Sequence, residues 1–190
     1  MKVFAVNGSP RHHGNTSIML DWCLDELKKE GIETETFQLG GEPVAGCKAC
    51  MACFKTEELK CAQKDIINTI IPKVVQADAL ILGSPVYFAD LTPELKAFID
   101  RVGYVCISHA YPLRRKPGAA VVVARRAGMI HAYDSINHFF GIMQMLTVGS
   151  RYWNLGVARE AGAVKEDQEA EDTMRILGAN MAWLLKKISS

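Results

Sequence analysis

The sequence predicts an α/β domain in which a mostly parallel β-sheet is covered by helices on both faces. Short β-rich runs alternate along the chain with longer segments of helical periodicity, and this alternation is typical of parallel sheets. Several of the short runs are continuously apolar, as expected for strands that are buried on both faces. No linker, repeat or low-complexity stretch divides the 190 residues, which favours a single domain over 1–190.

The first half of the chain contains three predicted strands and two predicted helices. Residues 2–6 form a continuous apolar strand, which is followed by a glycine-containing loop and an amphipathic helix over about 16–30. The alternating pattern of Glu33–Gln38 predicts the second strand. Helical spacing over 65–75 and the apolar run 79–82 predict a further helix and the third strand.

The second half of the chain continues the same alternation. Pro93 is well placed to begin a helix, because proline is favoured in the first helical turn. Residues 119–124 are all apolar and predict a fourth strand, and a helix over about 133–146 precedes a short fifth strand near 147–150. Apolar residues in the last helix recur at steps of three and four and predict one face docked on the core: Met174, Leu177, Met181, Leu184 and Ile188.

Five strands in one α/β domain indicate a flavodoxin-like three-layer sandwich with a five-stranded parallel sheet in the order 2-1-3-4-5. In such sheets a ligand binds beyond the carboxyl ends of the strands, where the strand order reverses. The loops that follow strands one, three and four are therefore the places where the sequence predicts a binding site.

Composition excludes several classes of partner. The chain has 22 Lys and Arg against 21 Asp and Glu, a net charge of +1, which provides no strong field for nucleic acid or for an anionic membrane. No apolar run approaches the roughly 18–20 residues of a membrane span. The first apolar run is too short for a signal peptide, so we expect a cytoplasmic protein. In that compartment the six cysteines are not expected to form a disulfide framework.

The first loop joins a strand to a helix and offers a phosphate site. Free backbone N–H groups and the positive end of the helix dipole favour an anion at this position. Neither the G-x-G-x-x-G fingerprint nor the Walker P-loop is present, which favours a mononucleotide phosphate. A turn with a helix cap at Asn15 or Thr16 is the alternative. The candidate binding residues are Ser9, Arg11, Gly14, Asn15, Thr16 and Ser17.

The second and third loops could hold the rest of such a ligand. Apolar and aromatic residues follow the third strand, where a flat ring would need them, and a pair of arginines follows the fourth strand. A packed turn and solvent-exposed arginines are the alternatives. The candidates are Ser84, Pro85, Val86, Tyr87 and Phe88 in the second loop and Ala124, Arg125, Arg126 and Gly128 in the third.

The first two loops carry a family resemblance. The runs Asn7-Gly8-Ser9-Pro10-Arg11 to Gly14-Asn15-Thr16 and Gly83-Ser84-Pro85-Val86-Tyr87-Phe88 resemble those of the NAD(P)H-dependent FMN reductase family, and within it the iron–sulfur flavoproteins. The resemblance spans nearly the whole chain. It implies that Ser9, Arg11, Asn15 and Thr16 hold the FMN phosphate and that residues 85–88 line the isoalloxazine ring. Arg125, Arg126 and Gly128 correspond less closely, because that loop varies in the family.

A cysteine-rich insertion at about 44–64 has the spacing Cys47-x2-Cys50-x2-Cys53-x7-Cys61. Three thiolates at two-residue spacing can wrap an iron–sulfur cluster while a fourth closes it, and the long last gap resembles the compact motif of iron–sulfur flavoproteins. A [4Fe–4S] cluster is one interpretation. Zinc is a second, although structural zinc sites usually use two separated pairs, and uncoordinated or redox-active thiols are a third.

The function expected from these features is that of an FMN-dependent oxidoreductase with no side chain acting as a catalytic acid or base. With a cluster, electrons would pass to or from ferredoxin-like partners; without one, NAD(P)H would drive reduction of flavin, quinone or a small electrophile. The alternative is a non-catalytic redox- or metal-sensing module that is switched by the four clustered cysteines. A homodimer or homotetramer is expected, because exposed apolar helices beside a flavin are often shared between subunits.

Overall fold

A parallel sheet forms the middle layer of the domain. The computed structural model describes residues 1–189 and has the strand order β2-β1-β3-β4-β5, with β6 also paired to β4. This order confirms the predicted flavodoxin-like arrangement. The strands are β1 (Lys2–Asn7), β2 (Glu33–Gln38), β3 (Ala79–Pro85), β4 (Pro117–Ala124), β5 (Leu146–Thr147) and β6 (Leu155–Val157).

Helices cover both faces of the sheet. The helices are α1 (Asn15–Lys29), α2 (Ile67–Gln76), α3 (Pro93–Ser108), α4 (Met129–Ile142) and α5 (Gln168–Ile188), with short 3₁₀ helices at Ala52–Lys55 and Ala163–Glu166. Side chains of α1 and α5 pack on one face of the sheet, and those of α2, α3 and α4 pack on the other. Each face therefore has its own apolar core, and the sheet is buried between them.

The sixth strand is a departure from the predicted five. β5 pairs with the first two residues of β4, Pro117 and Gly118, whereas β6 pairs with the last three, residues 122–124. The edge of the sheet is thus built from two short segments, joined by an intervening loop over 148–154. Two or three residues are too few for a periodic pattern, and for this reason the sequence did not predict β6.

The start of α4 also lies earlier than predicted. The helix begins at Met129 rather than near residue 133. In its first turn Ile130 is 44% exposed and His131 is exposed as well, and Met129 packs against the core. One apolar contact does not make an apolar stripe, so helical periodicity becomes visible only from Ala132 onward.

Strand register brings the three predicted loops to one edge of the sheet. Asn7, at the end of β1, pairs with Gly83 of β3, and Pro85 of β3 pairs with Val123 of β4. Because the strands are parallel, their carboxyl ends lie side by side. The loops that follow β1, β3 and β4 consequently face a common space. None of the helices over residues 1–189 is long and apolar enough to span a membrane.

The two helices on the first face approach closely at a glycine of α5. A Cβ atom at Gly178 would collide with the Cys23 carbonyl group of α1 and would lie 2.8 Å from Cβ of Glu26. We predict that Gly178→Ala lowers the free energy of unfolding by about 1–3 kcal/mol, because the helices must separate. Urea unfolding followed by circular dichroism measures the change.

Gly141→Ala in α4 is the matched control, since a Cβ atom there meets nothing within 4 Å. This substitution should raise the stability by up to about 1 kcal/mol through helix propensity alone. Equal effects of the two substitutions would show that close packing at Gly178 is not required.

Candidate functional site

A pocket of about 580 Å³, counted to its open mouth, lies at the carboxyl edge of the sheet. The end of β1 and the start of α1 form one wall, the loop after β3 forms another, and the ends of β4 and β6 close it. The lining residues are Ser9, Pro10, Arg11, Asn15, Thr16, Pro85, Val86, Tyr87, Val123, Ala124, Arg125, Ala158 and Arg159. The three loops predicted from the sequence therefore contribute to one cavity.

The loop after β1 is held by hydrogen bonds from the side-chain amide groups of Asn7 and Gln38. The Asn7 carboxamide oxygen accepts the Ser9 N–H at 3.0 Å, and its Nδ2 donates to Oε1 of Gln38 at 2.9 Å. Nε2 of Gln38 donates in turn to the carbonyl oxygens of Ser9 at 2.5 Å and Gly40 at 2.8 Å. A side chain at Gly40 would overlap the Ser9 backbone. The loop is thus packed and hydrogen-bonded before any ligand binds.

A second set of bonds ties this loop to the β3 loop. The Gly8 N–H donates to the Gly83 carbonyl group at 2.8 Å, and the Thr92 hydroxyl donates to the Gly8 carbonyl group at 2.8 Å. The Thr92 N–H donates to Oγ of Ser84 at 3.1 Å. Ser84, predicted to bind the ligand, is fully buried and lies outside the pocket lining. The Ser84 hydroxyl group instead positions Thr92, which joins the two loops.

The start of α1 retains the features of an anion site. Gly14 precedes the helix and provides no side-chain cap, so the first N–H groups of α1 have no capping side chain to satisfy them. Thr16 is 1% exposed, and its hydroxyl group has no hydrogen-bond partner among the described residues. Arg11, Arg125 and Arg159 add three guanidinium groups to the lining. A buried polar atom without a partner, beside positive charge, indicates a site built for an acceptor.

Asn15 has a structural role as well as a place in the pocket. Its Nδ2 donates to the Glu160 carbonyl group at 2.9 Å, and its Oδ1 accepts the Val164 N–H at 3.2 Å. The side chain therefore fastens the start of α1 to the loop after β6. Gly14 and Ser17, the other candidates of this segment, lie outside the lining.

The loop after β3 ends in a strained turn. Pro85, Val86 and Tyr87 line the pocket, and Tyr87 pairs with Asp90 through backbone bonds of 2.8 and 3.1 Å. Between them, Phe88 and Ala89 have φ of 47° and 65°, a left-handed conformation that costs energy for residues with a side chain. Phe88 is fully exposed at the tip and lies outside the lining.

The loop after β4 contributes less than the sequence predicted. Ala124 and Arg125 line the pocket, whereas Arg126 and Gly128 do not. The lining residues that the sequence analysis missed are Pro10, Val123, Ala158 and Arg159. The last two follow β6, so they could not have been found without that strand. Of the four missed residues, Pro10 could have been predicted from the sequence, because it lies between the candidates Ser9 and Arg11.

The four clustered cysteines line a second cavity, of about 360 Å³ including its mouth. Cys47 and Cys50 are exposed, and Cys53 and Cys61 are half-buried. The other wall is formed by Arg101, Tyr104 and Val105 of α3. Among residues 1–189, no three His, Cys, Asp or Glu side chains lie close enough together to hold a single metal ion. The arrangement thus gathers the four thiols around one space.

The end of the cysteine loop is fastened to α2. Oδ1 of Asn68 accepts the Cys61 N–H at 2.8 Å, and Nδ2 of Asn68 donates to the carbonyl groups of Cys61 and Gln63 at 3.0 and 2.9 Å. The Gln63 side chain donates to the Gly46 carbonyl group at 2.9 Å, which links the two ends of the loop. Burial raises the pKa of the Cys53 thiol, and a hydrogen bond from Ser108 opposes the rise.

Arg101 of α3 is a buried cation, 1% exposed. Its guanidinium group makes a bidentate pair with the Asp65 carboxylate, at 2.5 and 2.7 Å, and holds the pKa of that carboxyl below its usual range. It also donates to the carbonyl groups of Ala45 at 3.1 Å and Gln63 at 3.3 Å. Burial acts to lower the pKa of Arg101, but the hydrogen-bonded Asp65 carboxylate and the neighbouring Cys61 raise it, so the group remains charged.

The remaining two cysteines belong to the apolar cores. Cys23 of α1 and Cys106 of α3 are fully buried, and burial raises the pKa of each thiol to about 12. A thiol that is buried and protonated is neither a nucleophile nor a metal ligand. The interpretation of both residues as packing side chains is therefore consistent with their surroundings.

Comparison with known proteins identifies the family. The family model described as NADPH-dependent FMN reductase matches residues 1–160. An iron–sulfur flavoprotein of Methanocaldococcus jannaschii is 37% identical over 195 aligned positions, covering 99% of each chain. A second iron–sulfur flavoprotein of the same organism is 33% identical over 184 positions, covering 92% of each chain.

Solved structures agree with the fold. A flavodoxin from the domain Archaea superposes with a TM-score of 0.64 at 16% identity, covering 98% of this chain and 99% of that one. At 16% identity this likeness supports the fold alone. The family match and the two relatives, in contrast, are similar to this chain in sequence. The chain therefore belongs to the NADPH-dependent FMN reductase family, in its iron–sulfur flavoprotein-like branch, and is an FMN-dependent oxidoreductase.

Proposed function

We propose that FMN binds in the pocket at the carboxyl edge of the sheet, with its phosphate at the start of α1 and its ring beside the loop after β3. The observation that carries this proposal is the Thr16 hydroxyl group, which is buried at the pocket and lacks a partner among the described residues. A phosphate oxygen would satisfy it, together with the uncapped N–H groups of α1. The cations of Arg11, Arg125 and Arg159 would offset the charge of the phosphate and of a reduced flavin.

The protein's contribution to the reaction is then binding and electrostatics. The lining, which lies wholly within the described residues, contains no carboxylate, histidine, lysine or cysteine side chain. Pro85, Val86 and Tyr87 provide an apolar wall for a flat ring. When bound, FMN supplies both hydride and single-electron chemistry. The expectation that no side chain acts as a catalytic acid or base stays a prediction.

For the second cavity we infer a [4Fe–4S] cluster held by Cys47, Cys50, Cys53 and Cys61. The support is that all four thiols line one space, as the four thiolates that hold one cluster must. The relatives named iron–sulfur flavoproteins add support from comparison.

The inferred electron partners follow from the exposure of the cysteine loop. Cys47 and Cys50 are exposed, so a cluster there would lie near the surface, where a ferredoxin-like protein could exchange single electrons with it. The open pocket would admit NAD(P)H or a small acceptor to the flavin. The homodimer or homotetramer stays a prediction, to be tested by light scattering.

The test is an absorption spectrum with iron and sulfide analysis on protein purified without oxygen. Flavin bands with about four irons per chain are expected. Flavin bands with no iron would contradict the cluster and leave an NAD(P)H-linked reductase whose cysteines act as thiols. Protein that neither retains nor rebinds FMN would contradict the proposed flavin site.

Thr16→Val tests the phosphate site. We expect the dissociation constant for FMN to rise about 10- to 100-fold, because a hydrogen bond to a charged group is lost. The stability of the flavin-free protein should stay the same or rise, because the substitution removes a buried hydroxyl group that has no partner there. Fluorescence titration with FMN and urea unfolding of the flavin-free protein measure the two effects.

The control is Thr69→Val on α2, whose hydroxyl group is exposed and bonds the Ile66 carbonyl group. It should leave FMN affinity unchanged. A loss of stability without a loss of FMN affinity in Thr16→Val would assign the hydroxyl group a structural role and remove it from the site.

Cys61→Ser tests the inferred cluster ligands. We expect the variant to lose iron and sulfide but to retain FMN, because the two cavities share no lining residue. Iron analysis and flavin absorbance on the same anaerobic preparation measure both. Cys23→Ala, which removes a thiol from the other face of the sheet, should retain iron. Iron retained in full by Cys61→Ser would contradict the ligand assignment.

A further inference from the structure

Arg101 is placed at the cysteine cavity in a way that packing alone does not explain. A charged side chain is rarely buried unless it is paired, and replacing such a pair by apolar residues is often neutral or stabilising. Here the guanidinium group lies on the apolar side of α3, with 1% of the residue exposed. The chain retains a paired cation, Arg101 with Asp65, where a leucine or methionine would pack.

The side-chain hydrogen bonds of Arg101 go to the segment that carries the cysteines and to Asp65, which directly follows it. Nη1 donates to the Ala45 carbonyl group at 3.1 Å, just before Cys47. Nη2 donates to the Gln63 carbonyl group at 3.3 Å, just after Cys61. The bidentate pair with Asp65 completes the set. One side chain thus fastens both ends of the loop to α3.

One donor of the guanidinium group remains unused. Nε of Arg101 is buried and has no hydrogen-bond partner among residues 1–189. The residue lines the same cavity as the four cysteines, and the Cys61 sulfur lies close enough to its guanidinium group to interact with it. The free donor and the positive charge are therefore at the wall of the space that the cluster would occupy.

We propose that Arg101 is a positioning residue of the cysteine site, which holds the loop in shape and stabilises the reduced cluster through its charge and its free donor. This inference rests on the proposed cluster. Uptake of one electron adds one negative charge to a cluster, and hydrogen bonds and nearby charge set its potential. A cation at the cavity wall favours the reduced form and raises the reduction potential, whereas the neighbouring Asp65 carboxylate acts in the opposite sense.

The experiment compares Arg101→Gln, Arg101→Lys and Asp65→Asn with the wild-type chain. Each protein is purified and reconstituted without oxygen, and its FMN content, iron content, rate of iron loss to a chelator and cluster midpoint potential are measured. Arg175→Gln is the matched control, because Arg175 pairs with Glu171 and Glu26 on the opposite face of the sheet. FMN content reports whether each variant has folded.

The expected change in the cluster midpoint potential differs in sign between the Arg101 and Asp65 variants. Arg101→Gln should bind its iron about 10- to 100-fold less tightly, as is usual when a partner of a metal ligand is removed, and should have a lower potential. Arg101→Lys keeps the charge and should have a potential between those of wild type and Arg101→Gln. Asp65→Asn removes a negative charge and should raise the potential; an Asn oxygen can still accept the Ile67 N–H that Asp65 accepts at 3.2 Å. Arg175→Gln should match wild type.

Each other outcome overturns the inference in a distinguishable way. If Arg101→Gln and Asp65→Asn both lose iron, and their cluster potentials are unchanged or lowered equally, the Arg101–Asp65 pair has a structural role only. Unchanged iron binding and potential in Arg101→Gln would remove any role of Arg101. Wild-type protein that binds FMN but takes up no iron would overturn the proposed cluster, and this inference with it.

Discussion

The parallel pairing of β1 between β2 and β3 is the constraint on which the pocket at the carboxyl edge of the sheet depends. Asn7 ends β1 opposite Gln38 on one side and Gly83 on the other. The loop after β1 is therefore hydrogen-bonded to Gln38 below it and to Gly83 and Thr92 beside it. A shift in register by one residue would exchange the buried and exposed faces of the strand. It would also separate these partners, and the pocket would lose its first wall.

The polar groups at the start of α1 are held in place by the protein's own contacts. The amide network fixes the loop backbone, and the start of α1 presents N–H groups with no capping side chain. Thr16 keeps a buried hydroxyl group without a partner, at an energetic cost that a bound acceptor would recover. The left-handed backbone conformation of Phe88 and Ala89 adds a second energetic cost, in the loop that forms another wall of the same pocket. Energy stored in this way is typical of a site whose geometry is set by function.

The cysteine loop depends on a different kind of interaction. It contains little regular structure, only the 3₁₀ helix Ala52–Lys55, although Val44 and Leu59 pack on the core and Phe54 contacts Tyr104. Its two ends are held by polar contacts with two helices, through Asn68 of α2 and Arg101 of α3. Buried polar groups of this kind specify one arrangement provided that their hydrogen bonds are made. The same contacts place a positive charge beside the thiols.

The sequence by itself determined the layer architecture, the order of five of the strands and three of the loops that form the pocket, because hydrophobic periodicity is a local signal and the connection rules of parallel sheets restrict the strand order. It also identified the four cysteines by their spacing. Only the tertiary structure decided the roles of Gln38, Thr92, Arg101 and Arg159, which come from distant segments and carry no local pattern. It likewise showed that Ser84 and Asn15 bind the protein's own backbone. A side chain's hydrogen-bond partners depend on which distant segments the fold brings to it, and spacing along the chain does not encode that.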